Sequence, residues 1–278
     1  MPSFHLHPDV VVLLGGLWAA YLLAVHRRTQ GDPGARAEAS ARRRVMFSAG
    51  MLSLLVASSW PLHDLAEERL YAAHMVQHML YMFVAPPLLI AGIPPWMWRG
   101  LLRIRGVGGI FRFLVRPLVA LVLFNAVVLF IHWPAVVEAQ IRSELVHFVL
   151  HVLIVGAGLV MWWPVMSPVP ELAALSPPGQ MLYLFFQSLA PTIPASFLTF
   201  GRSPLYPIYA TFPRIWGIGP LEDQLIAGLV MKLGGGLVLW GFIAAIWFRW
   251  YARDSREGFD ALRLAGVERA VRARLSRP

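Results

Sequence analysis

Seven runs of apolar residues, each close to the length that crosses a bilayer, dominate this chain of 278 residues. They fall near 10–25, 45–60, 70–93, 115–133, 143–163, 179–200 and 223–248. A bilayer core offers backbone groups no partner, so each run must satisfy its own N–H and C=O groups as a helix. The first two are short against the roughly 20 residues a crossing needs, and their ends must draw on flanking polar residues. With 58% hydrophobic and 14% charged residues, the chain has more apolar surface than a soluble domain can bury. The expected fold is all-α: a polytopic membrane bundle of seven transmembrane helices. The opening MPSFHLHPD has no basic segment ahead of the first run, which argues against a cleaved signal peptide.

Tryptophan followed by proline recurs near span ends, in SSWP at 58–61, IHWP at 131–134 and MWWP at 161–164. Indole favours the headgroup level and proline ends a helix, so all three read as membrane boundaries. Pro86, Pro87, Pro191 and Pro194 lie inside spans, where they should kink the helix and free carbonyls for partners elsewhere in the bundle.

The net charge of +9 is carried by arginines set in blocks between apolar runs, a juxtamembrane pattern that excludes nucleic acid as a partner. Six arginines fall in 26–44, five in 94–116 and eight from Arg249 onward, which makes those segments cytoplasmic. The N-terminus is then outside and the C-terminus inside. Residues 1–251 form the transmembrane domain and 252–278 a basic cytoplasmic tail. In that tail Leu264, Val267, Val271 and Leu275 share one helical face suited to anionic lipid; a solvated, frayed tail is the alternative.

This orientation sorts the histidines. His74 and His78 lie about 6 and 12 Å below the outer end of the third span, and His147 and His151 at nearly the same depths in the fifth. Each pair is spaced i and i+4, so its rings leave one helical face. His132 ends the fourth span, His63 lies with Asp64 in an outer loop, and His5 and His7 precede the first span. Eight of nine histidines are thus outside, with His26 among the cytoplasmic arginines. His5 and His7 read as part of a disordered end. Two matched pairs on two helices are what a bundle needs to hold a metal or a haem; the alternative is that each imidazole makes a polar contact within the bundle.

Met75, Met79 and Met82 form a stripe beside the histidine face. Packing explains them, but thioethers beside imidazoles also suit Cu(I) better than zinc or magnesium. Without cysteine, a soft-metal site must use His and Met. Glu144, three residues before His147, is positioned to orient an imidazole or to pair with Arg142. Gln77 and Asn125 should hydrogen-bond between helices. The seventh span opens DQLIAGLVMKLGGG, with Asp223 at the outer boundary, Met231 level with His78 and His151, and Lys232 needing a partner. Gly234, Gly235 and Gly236 let another helix approach closely.

The segments WPLHDLAEERLYAAHMVQHMLYMFVAPPLLIAGIPP, IHWP, the histidine pair before WWPV, and PLYPIY followed by DQLIAGLVM resemble the CtaG family of membrane-embedded cytochrome c oxidase assembly factors, associated with caa-type oxidases. The likeness runs from the second span through the seventh. It implies that His63, His74, His78, His132, His147, His151, Asp223 and Met231 are the family's characteristic polar residues. It also implies a multi-pass protein of the bacterial plasma membrane that supplies copper to oxidase subunits. Lys232 stands where the family pattern leads one to expect an aromatic residue.

The first functional expectation is therefore a copper-binding assembly factor, not an enzyme, whose ligands His63, His74, His78, His132, His147, His151, Met75, Met79, Met231 and Asp223 converge near the outer surface on one shared ion. A haem protein with bis-His ligation between the third and fifth helices is the alternative. A membrane metal-dependent enzyme is disfavoured because HxxxH lacks the adjacent glutamate of HExxH, and the nearby acids Asp64, Glu67, Glu68, Glu144 and Asp223 lie at the boundary.

Overall fold

A computed structural model describes residues 4–189 and 191–275, with side chains to Arg256. Among the described residues the chain is helical throughout, without a strand. Six helical segments are long and apolar enough to cross a membrane: Pro8–Gly31, Ala41–Glu68, Tyr71–Gly92, Glu144–Met166, Pro177–Phe200 and Pro220–Arg256. A seventh results if Val107–Leu114 and Pro117–Ile131, bent by 85° to one another, count as one span. Six of the seven expected runs fall in the first six segments; the fourth, expected over 115–133, is the 15-residue helix Pro117–Ile131, which counts as a span only together with Val107–Leu114 across the bend at Pro117.

The elements that matter below are α1 (Pro8–Gly31), α2 (Ala41–Ala57), α3 (Leu62–Glu68), α4 (Tyr71–Gly92), α5 (Pro117–Ile131), α6 (Pro134–Arg142), α7 (Glu144–Met166), α8 (Pro177–Leu189), α9 (Thr192–Phe200) and α10 (Pro220–Arg256). The last helix continues to Leu275. The side chains of Leu264, Val267, Val271 and Leu275 lie outside the described residues, and with them the amphipathic face expected there.

Each spanning helix divides into an inward and an outward face. On α7, Leu145 is 71% and Val152 56% exposed while Ile154 and Met161 are fully buried. Apolar side chains directed away from the protein are stable where lipid is the solvent. The chain is a multi-pass membrane protein.

Two features bring α4 and α7, the two HxxxH helices, into direct contact. At Gly158 on α7, a Cβ would lie 2.8 Å from Pro86 Cγ, so only the missing side chain lets the backbones approach this closely. The second feature starts from Pro86, which has no N–H to give the carbonyl of Met82 four residues earlier. That carbonyl instead accepts a hydrogen bond from Trp162 Nε1 at 2.9 Å. The in-span proline thus frees a carbonyl for an internal partner, as expected.

MWWP does lie at the close of its span, since α7 ends at Met166, but that bond changes the reading of its tryptophans. Trp162 and Trp163 are buried at 0% and 1% exposure, and Pro164 lies inside α7. The indoles are held by the bundle core, not by headgroups. SSWP and IHWP do fall between helices, with Trp60 and Trp133 at 38% and 66% exposure.

The sixth expected span is described as two helices, Pro177–Leu189 and Thr192–Phe200, the second opening after Pro191 and holding Pro194 in its first turn. Asn125 donates to Gln187 Oε1 across helices at 2.9 Å, and Gln187 passes the chain on to Tyr183. The glycine run does admit a neighbour: a Cβ on Gly235 would lie 3.3 Å from Phe83 and one on Gly234 3.6 Å from Met79.

Candidate metal centre

The polar interior begins with the cap on α4. This helix has no N-cap side chain of its own, and its first turn leaves backbone N–H groups unpaired. Asp223 of α10 supplies the acceptors: Oδ2 takes the N–H of Tyr71 at 2.9 Å and Oδ1 that of Ala72 at 2.8 Å. A carboxylate at a helix N-terminus also meets the positive end of the dipole. The structure thus engages both oxygens of Asp223 in fixing the turn that carries His74, apart from the imidazole groups described next.

One turn on, His74 and His78 face His151 of α7. Each of the three offers a ring nitrogen, and these atoms all lie within 4.8 Å of one another. His74 and His78 are 1% and 2% exposed. Buried nitrogens without a hydrogen-bond partner occur on each ring: Nδ1 of His74, Nδ1 of His78 and Nε2 of His151. Leaving a buried polar atom unpaired costs about 1–3 kcal/mol. Three imidazoles that each keep a buried nitrogen unpartnered, and whose ligand atoms lie within 4.8 Å of one another, form a donor set of the kind that binds a cation.

The surrounding groups fix these rings. Gln140 of α6, 2% exposed, sets its amide nitrogen 3.2 Å from His74 Nε2, leaving Nδ1 as the unpartnered nitrogen of that ring. Tyr71 stacks on the His74 ring with centroids 5.9 Å apart, and Tyr81 packs on His151 at 4.6 Å. His132, at the end of α5, donates from Nδ1 to the Val128 carbonyl at 2.6 Å. That bond leaves its buried Nε2 as a lone pair without a partner, and the ring sits 5.5 Å from His78. The PLYPIY segment closes over this region: Tyr206 donates to the His132 carbonyl at 2.7 Å and Tyr209 to that of Ala66 at 3.2 Å.

A second group lies beside the first. His63, Glu67 and His147 also bring ligand atoms within 4.8 Å of one another. The Nε2 atoms of His63 and His147 approach the same oxygen, Glu67 Oε1, at 3.1 and 3.0 Å. The rings of His147 and His151 are 4.0 Å apart, so the two groups adjoin along α7. Gln77 joins α2, α3 and α4 here, donating to the Ala57 carbonyl and lying 3.1 Å from His63 Nδ1.

The orienting carboxylate is therefore Glu67, not Glu144. Glu144 sits on the exposed side of α7, and Arg142 pairs with Glu138 instead. His5 and His7, read from sequence as a disordered end, are tied down: both contact the buried carboxylate of Asp64, His7 at 2.7 Å and His5 at 3.3 Å.

The expected thioethers are placed differently from the imidazoles. Met75 is buried in the apolar core. Met79 and Met231 line a separate cavity of about 20 Å³ with Met82, Ser188, Thr192 and Lys232, a lining without histidine. Lys232 finds its neighbour there, its Nζ lying over the Phe200 ring at 5.8 Å. Of the expected set, His74, His78 and His151 are gathered into one group with His132 alongside, and His63 and His147 into another. Gln140 was not anticipated, and nothing local in the sequence marks it. Glu67 carries a visible signal, its i+4 spacing from His63.

The family model described as cytochrome c oxidase caa3 assembly factor (Caa3_CtaG) matches residues 19–253. No curated protein and no solved structure gives a match. The matched region holds every residue of the two histidine groups and the aspartate that caps α4, and it spans most of the chain, which belongs to the Caa3_CtaG family of cytochrome c oxidase assembly factors.

Proposed function

We propose that this chain takes up copper at the histidine-bearing end of its bundle, on the outer face of the membrane, and supplies it to a cytochrome c oxidase assembling in the same membrane. One observation carries the reading: His74, His78 and His151, from two helices of a protein of an oxidase-assembly family, bring ligand atoms within 4.8 Å of one another, and each ring keeps a buried nitrogen unpaired.

The charge of the cluster argues for the reduced ion. Three neutral imidazoles in an apolar bundle provide no countercharge, and the cost of burying an ion grows with the square of its charge. Monovalent copper is thus far cheaper to hold than a divalent metal, and imidazole is a ligand it accepts. His132, with its free Nε2 beside His78, offers a further ligand as the ion enters or leaves. Outward placement rests on the arginine distribution, which leaves the histidine end facing the side poor in positive charge.

The packing weighs against haem. Rings of His74, His78, His147 and His151 lie with centroids 4.0–6.5 Å apart, which leaves no slot for a flat macrocycle between α4 and α7. Membership of an assembly-factor family also fits a chain that handles an ion rather than turning over a substrate.

Copper analysis of the purified protein tests the reading, comparing wild type with His74→Ala and His151→Ala. Bound copper should fall in both variants, and cells carrying either should assemble oxidase deficient in copper. Wild-type copper in both variants refutes the assignment, and iron with a porphyrin spectrum replaces it with haem.

A further inference from the structure

We propose that His63, Glu67 and His147 form a second metal site, distinct from the three-imidazole cluster and selective for a divalent ion such as zinc. Three observations lead there: the geometry of the donors, their charge, and their exposure.

The donors already stand close to ligand spacing. Tetrahedral coordination with bonds of about 2.0–2.1 Å places ligand atoms about 3.4 Å apart. Glu67 Oε1 lies 3.1 Å from His63 Nε2 and 3.0 Å from His147 Nε2, and the ligand atoms of all three residues lie within 4.8 Å of one another, so small side-chain shifts admit an ion. His147 Nε2, although this close, makes no aligned hydrogen bond, and its Nδ1 is unpaired too. Gln77 sits at Nδ1 of His63, which leaves Nε2 of that ring as the atom directed at Glu67.

Charge separates this group from its neighbour. Two imidazoles and a carboxylate carry one negative charge, which offsets half the charge of a divalent ion and matches a donor set that zinc commonly takes. The cluster of His74, His78 and His151 has no such group. Exposure differs as well: Glu67 is 34% exposed, while His63 and His147 are 12% and 6%. An ion can therefore reach Glu67 directly, and partial hydration eases the cost of its charge. The N-terminal arm borders this entrance, with His7 on Asp64 and its ring 4.7 Å from that of His63.

The chain contains no cysteine, which permits a direct spectroscopic test. Purified full-length protein in detergent is freed of metal, then titrated with zinc(II) against a chromophoric chelator and, separately, with cobalt(II). Zinc affinity should fall at least 10-fold in Glu67→Gln and be retained in His78→Ala. In Glu67→Cys, cobalt should produce a near-ultraviolet thiolate-to-metal band that wild type lacks. A Glu67→Gln protein that binds zinc as tightly as wild type, or cobalt bound to Glu67→Cys without that band, overturns the proposal. Cu(I) titration of Glu67→Gln reads the three-imidazole cluster separately, so failure of one site is distinguishable from failure of the other.

Discussion

The carboxylate of Asp223 caps the helix that begins at Tyr71, accepting the Tyr71 and Ala72 backbone N–H groups at 2.9 and 2.8 Å across 152 and 151 residues of sequence. The last spanning helix thereby sets the axial position of the helix bearing His74 and His78. Replacing Asp223 by alanine leaves two N–H groups without acceptors at a site that is 1% exposed. We expect a loss of about 1–3 kcal/mol, read as a lower thermal midpoint in detergent, together with weaker copper binding. Asp223→Asn, which keeps one acceptor oxygen, should recover part of both. Copper affinity unchanged in Asp223→Ala would separate this cap from the site.

Gln140 is placed to orient His74. Its amide nitrogen lies 3.2 Å from Nε2, which leaves Nδ1 as the unpartnered nitrogen of that ring. Loss of a group that orients a ligand typically weakens metal binding about 10–100-fold. Gln140→Leu, similar in volume, should show a loss of that order in a Cu(I) competition titration, with a modest fall in thermal midpoint because His74 Nε2 loses its partner. An unaltered affinity would mean that the His74 ring is fixed by stacking on Tyr71 alone.

Gly158 controls the separation of the two histidine helices. A methyl group there would meet Pro86 Cγ at 2.8 Å and the carbonyl oxygens of Tyr81 and Met82 at 3.3 Å. Overpacking of this kind costs about 1–3 kcal/mol. Gly158→Ala should lower stability and copper affinity together, because displacing α7 moves His151 away from His74 and His78. Gly156→Ala, where a Cβ meets nothing within 4 Å, is the control that should change neither. Equal behaviour of the two variants would contradict the close-packing argument.

The N-terminal arm is held by one buried acid. Asp64, 3% exposed, receives His7 at 2.7 Å and His5 at 3.3 Å. Asp64→Ala should free residues 4–10, detected as faster amide hydrogen exchange in that segment with little change in the bundle. Exchange at the wild-type rate would show that the arm is anchored by other contacts.

The helices were legible because lipid leaves a spanning segment no alternative conformation, and the HxxxH pairs because i,i+4 spacing fixes a shared face without tertiary information. What failed to show was choice among equivalents. Glu67 and Glu144 both stand three or four residues from a histidine; the 3.0 Å contact of Glu67 with His147 across helices selects Glu67, and the outward turn of α7 excludes Glu144. MWWP matches SSWP and IHWP at its final Trp-Pro, yet its indoles are buried: Trp162 bonds the Met82 carbonyl that Pro86 leaves free, and Trp163 packs against Trp98 and Phe111. Asp223 and Met231 lie at depths that fit the site, but depth along a helix does not say which way a side chain turns. One engages the α4 N-terminus, the other the cavity beside Lys232.

The central claim is that His74, His78 and His151 together hold monovalent copper. X-ray absorption at the copper edge of the Cu(I)-loaded protein tests it most directly. The account requires a first shell of imidazole nitrogens that loses one ligand in His151→Ala; a shell dominated by sulfur, or one unchanged by that substitution, contradicts it.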